Sequence, residues 1–75
     1  MIGNQHTAQR IVNAENNFVE TLQRCGEIDK DTAEKVMRFY LYNKLAKLDA
    51  VNGTIKVKHG AFLDKQSIVN AVGVM

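Results

Sequence analysis

The chain has no proline and a single cysteine, Cys25, among its 75 residues. Without proline there is no proline-rigidified turn and no proline kink, which fits a mostly helical build. One cysteine cannot close an internal disulfide, so the sequence is read as belonging to a reduced, cytoplasmic setting. No run of about 18 apolar residues exists, which excludes a membrane-spanning helix. No basic start leads into an apolar stretch with a small-residue cleavage site, so no secretory leader is read. The length excludes Rossmann, TIM-barrel and protein-kinase catalytic domains. Repeats, low-complexity segments and linker composition are also missing, and residues 1–75 read as one domain with a polar tail over 1–6. A domain of this size buries only about 60% of its unfolded surface, and small folds commonly gain stability from a partner subunit.

What is present is amphipathic patterning. Thr7 can cap a first helix running to about Cys25. Ala8, Ile11, Val12, Ala14, Phe18, Val19, Leu22 and Cys25 share one side of it, with amides and charges opposite. Gly26 suits the left-handed stop, and Cys25 closes the apolar face. Asp29 can cap a second helix to about Leu48, with Ile28 stapled onto Ala33. The short connection makes the pair an antiparallel hairpin. Asn52-Gly53 marks a turn. Thr54 to Lys58 alternates as a strand, and Ala61 to Leu63 pairs back on it after a turn at His59-Gly60. A second register joins strands 47–51 and 54–58 directly across Asn-Gly. Asp64 can cap a last helix to about Val72, with Leu63 and Ile68 as its staple. The fold class is mainly α with a small β element, in the order helix, helix, β hairpin or strand, short helix.

Over the predicted span to Leu48, the second helix is apolar on two sides. Ala33, Val36, Met37, Tyr40, Leu41 and Leu48 can pack on helix one, while Phe39, Tyr42, Leu45 and Ala46 face elsewhere. Such a helix is either central to the fold or shared with another chain. Phe39, Tyr42, Leu45 and Ala46, with Arg38 beside them, form the expected protein-binding surface. A homodimer through the same stripe is the self-associating form. Glu15 sits within the apolar face of helix one, and a contact with Tyr40 or Lys44 is expected.

Charge is unevenly divided. Residues 1–32 carry −2, residues 33–60 carry +4, and residues 61–75 balance, giving +2 in all. Lys44, Lys47, Lys56, Lys58 and His59 could contact a phosphate backbone. A lysine-bearing β element after a basic helix resembles the wing of winged-helix DNA binders, which implies nucleic acid as the alternative partner. Against that, Lys35 and Arg38 project about 150–180° from Lys44 and Lys47, so one groove cannot take both pairs. The same lysines would also serve as a solvated face guarding a strand edge.

For chemistry, Cys25, His6 and His59 are the reactive candidates, but no acid is spaced to orient either histidine. Neither a C-x-x-C nor an H-x-x-x-H spacing exists for zinc, and Gly53 and Gly60 belong to no phosphate-cradling motif. The sequence is read as having no catalytic, cofactor or metal site. It points to a small non-enzymatic protein-binding module, an adaptor, inhibitor or regulatory subunit, with the general look of accessory proteins of bacteria and their phages.

Overall fold

Two aspartates start two of the helices in this computed structural model, which describes residues 2–75, with side chains from Ala8 onward. Asp29 Oδ1 accepts the Thr32 amide at 2.9 Å, and Asp64 Oδ1 accepts the Ser67 amide at 2.9 Å. Each satisfies an orphan N–H of a first turn. The elements are α1 (Ile2–Gly26), α2 (Lys30–Tyr42), β1 (Ala46–Asp49), β2 (Thr54–Val57) and α3 (Lys65–Val74). The chain is thus mainly helical with a two-stranded antiparallel sheet, in the order helix, helix, strand, strand, helix, as its sequence indicates.

The core lies where α1, α2 and α3 meet. Phe18, Val19 and Leu22 of α1 pack with Ala33, Val36, Met37 and Tyr40 of α2, and with Ile68 and Ala71 of α3. Ile28 and Leu63, the residues just before the two aspartate caps, are half-buried against this cluster. That is where hydrophobic staples belong. Phe18 and Tyr40 meet edge to face at 6.4 Å between ring centres.

Several boundaries differ from the sequence reading. The first helix begins at Ile2, so Thr7 lies inside it rather than at its cap, and residues 2–6 of the expected tail are helical. Met1 and the His6 side chain lie outside the described residues. The left-handed residue after α1 is Glu27, with φ 53°, and not Gly26. Gly26 serves packing instead, since a Cβ there would stand 2.6 Å from Cγ2 of Ile68. The glycine lets α1 and α3 approach. Cys25, one position round the helix from that contact, is exposed and does not close the apolar face.

The largest correction concerns α2, which stops at Tyr42 rather than Leu48. Lys44 takes φ 60°. Its amide donates to the Leu41 carbonyl at 3.2 Å, and the Leu45 amide donates to the Tyr40 carbonyl at 2.8 Å. This is the Schellman pattern, here with lysine at the position that usually holds glycine. Leu45, Ala46 and Leu48 keep helical spacing in the sequence but lie beyond the helix. Ala46–Asp49 becomes the partner of Thr54–Val57, close to the second register that the sequence allowed. Ala61–Leu63 is therefore not a strand.

The four residues between the strands fold around Asp49. Its Oδ1 accepts the Val51 and Asn52 amides, and its Oδ2 accepts Nδ2 of Asn52 at 2.7 Å. Gly53 closes the loop with φ 66°. The loop is tied to α1, whose Arg10 Nη1 donates to the Val51 carbonyl at 2.9 Å. The hairpin is consequently held on the body and does not stand free like a wing.

Candidate functional site

The side-chain hydroxyl of Tyr40 organises the surface. The ring is only 3% exposed. Its hydroxyl donates to the Phe62 carbonyl at 2.9 Å, twenty-two residues along the chain. Burial, with a smaller contribution from the Asp64 carboxylate, pushes this phenol above its usual range, so it stays protonated as a donor. No hydrogen bond or ion pair joins Glu15 to Tyr40 or Lys44 among the described residues. Tyr40 turns its hydroxyl to the loop, and Lys44 lies past the end of α2, exposed.

The segment held by Tyr40 makes a turn of its own. The Ala61 amide donates to the Lys58 carbonyl at 2.9 Å, and Gly60 takes φ 93°. This is the turn expected at His59-Gly60, where a glycine accepts the left-handed backbone without strain. Between this segment, the end of α2 and α3 lies a groove of about 490 Å³. Phe39, Tyr40 and Leu45 line one side. His59, Gly60, Ala61 and Phe62 line another, and Ser67, Asn70, Ala71 and Val74 of α3 complete it. Lys58 also lines it. The four α3 residues recur at the spacing of one helical face. Apolar groups predominate, no carboxylate lines the groove, and Phe62 and Val74 remain 66% and 69% exposed.

The residues expected to form a protein-binding stripe are therefore divided. Phe39 and Leu45 meet in the groove, although Leu45 reaches it from beyond the helix. Tyr42 is 87% exposed, and Arg38 is also exposed, but neither lines the groove. Ala46 is buried on the inner side of β1 and leaves the surface altogether. Phe62, Ala61 and Val74 were missed. The turn at Gly60 and the cap at Asp64 mark Ala61–Leu63 as a short connecting segment, whereas nothing in the sequence brings Val74 beside it.

The alternative basic set is distributed along the hairpin. In the register, Ala46 faces Val57 and Leu48 faces Ile55 on the covered side. Lys47 faces Lys56 directly on the outer side. Lys58 continues that outer row beyond β2, its amide donating to the Leu45 carbonyl at 2.7 Å. His59 follows in the turn, and Lys44 stands at the end of α2. The two ion pairs among the described residues use other lysines, Lys35 with Asp31 and Lys65 with Glu27.

Among the described residues, no group of three or more His, Cys, Asp or Glu side chains could hold a metal ion. No helix of the described chain is long and apolar enough to cross a membrane. No protein family, curated protein or solved structure matches this chain.

Proposed function

We propose that the protein is a small non-enzymatic binding module whose groove between α2, the 58–62 turn and α3 receives apolar side chains from a segment of another protein. The observation that carries this reading is the pairing of a formed apolar concavity with exposed walls, Phe62 on one side and Val74 on the other. Large apolar groups left in water around a concave apolar floor are the common form of a recognition site. The groove's size suits a few side chains and not a whole folded surface. Its lining includes Lys58 and His59 but no carboxylate, so a basic segment is disfavoured. The module would act by occupying its partner, as an adaptor, inhibitor or regulatory subunit does.

A displayed library of random peptides, selected on the immobilised protein, tests this. Enriched peptides should share one or two aromatic or aliphatic anchors. Phe62→Ser and Val74→Ser alter exposed side chains, so the fold should survive them while binding falls at least about tenfold. Failure to enrich any sequence, or binding indifferent to both substitutions, would overturn the reading. A concentration-dependent dimer in sedimentation, dissolved by Phe62→Ser, would make a second copy the occupant and overturn it as well.

A further inference from the structure

The outer face of the hairpin begins at the groove. Leu45 and Lys58, joined by the 2.7 Å backbone hydrogen bond, both line the groove and stand at the open end of the two strands. The next outer pair is Lys47 and Lys56. Lys58, and then the Lys56–Lys47 pair, therefore lead away from an apolar concavity. Lys56 and Lys58 are two residues apart on one face, or about 7 Å along the strand. Lys47 and Lys56 are directly opposed, at about 5 Å between Cβ atoms.

That juxtaposition is unfavourable within the isolated chain. Like charges directly across a sheet destabilise it. Guarding an exposed edge does not require them, because a lysine facing a carboxylate would guard it equally well. The one acid on this face, Asp49, has its carboxyl lowered chiefly by hydrogen bonds from Asn52, with a further one from Val51, and feels the Lys56 charge only as the smallest influence. Its carboxylate is turned into the loop and held by Asn52 and Val51. No ion pair among the described residues engages the three lysines.

We infer that the segment occupying the groove carries an acidic flank, and that Lys58, Lys56 and Lys47 receive it. This inference rests on the groove reading proposed above and adds the chemistry and direction of the bound segment. Extended carboxylates at alternate positions repeat at the same 7 Å or so as Lys56 and Lys58. A phosphodiester backbone would also be attracted, but three features favour the polypeptide. The row is short, it contains no arginine, and it continues into apolar walls for which a sugar-phosphate chain has no use.

The test uses two labelled synthetic peptides built on one library-selected anchor sequence, flanked by either three glutamates or three glutamines. Fluorescence anisotropy should show the glutamate peptide binding about tenfold tighter at low salt. The advantage should shrink at high salt. In the Lys47→Gln/Lys56→Gln double variant the advantage should fall to about threefold or less, while the glutamine peptide binds as before. That variant removes a repulsion, so its melting temperature should hold or rise. Equal binding of the two peptides to the wild-type chain would overturn the acidic flank and leave the groove reading standing. Binding of neither would remove both. A labelled oligothymidylate that binds as tightly as the glutamate peptide, and loses affinity in the double variant, would assign the lysines to nucleic acid instead.

Discussion

Replacing Tyr40 by Phe removes one oxygen and nothing else from the packed core. The ring, 3% exposed, keeps its edge-to-face contact with Phe18. What is lost is the 2.9 Å hydrogen bond to the Phe62 carbonyl, the only side-chain hydrogen bond from the core to the 58–63 segment among the described residues. A part-buried carbonyl deprived of its donor typically destabilises by about 1–2 kcal/mol. For a domain of this length, each kcal/mol moves the melting temperature by about 4–8 °C. Thermal unfolding followed by circular dichroism should therefore show Tyr40→Phe melting at least about 4 °C below the wild type. Tyr42→Phe is the control. That side chain is 87% exposed, so removing its hydroxyl should change stability by less than about 0.5 kcal/mol. The loss should also be local, with amide exchange quickening at Gly60, Ala61 and Phe62 before it quickens in α1. If Tyr40→Phe melted with Tyr42→Phe, at the wild-type temperature, the hydroxyl would not be what fastens the groove wall.

Other consequences follow from single positions. Gly26→Ala should lose about 1–3 kcal/mol, because the new methyl meets Ile68 at 2.6 Å, whereas Gly73→Ala in α3 meets nothing within 4 Å and should gain about 0.5–1 kcal/mol in denaturant titrations. Lys44→Gly should stabilise by about 0.5–1 kcal/mol, since glycine accepts φ 60° without the strain a Cβ brings, and Lys44→Val should do the reverse. The Asp29 and Asp64 carboxyls lie below their usual range, chiefly through hydrogen bonds from Thr32 and Ser67. Groups depressed on folding contribute stability above their unfolded pKa, and that contribution is lost as pH falls through the folded value. Acid titration of the melting temperature should thus show a fall below about pH 4 that is smaller in the Asp29→Asn/Asp64→Asn double variant.

The parts of the fold that were readable are those in which side chain and backbone agree. Asp29 and Asp64 are short acceptors placed before apolar periodic runs, and each caps the helix it announces. The ends were harder, because Glu27 and Lys44 take left-handed backbone with no glycine to mark them. Beyond Lys44, Leu45 and Leu48 continue a helical repeat from Leu41 while Ala46 and Leu48 alternate as in a strand, so periodicity could not choose between the two. The hairpin decided it, since Leu48 finds Ile55 across the sheet and Ala46 finds Val57. The candidate site was legible in half. Phe39 and Leu45 stood out as apolar groups with no obvious cover, while Phe62 and Val74 join them only through the three-dimensional path of a turn and a short helix.

The groove itself is tested most directly by mapping where a library-selected peptide binds on the isotopically labelled full chain. Nuclear magnetic resonance shifts should concentrate at Phe39, Leu45, Gly60, Phe62, Ala71 and Val74, and vanish in Phe62→Ser. Shifts gathered instead around Arg10, Val51 and Gly53, on the α1 side of the hairpin, would contradict the account.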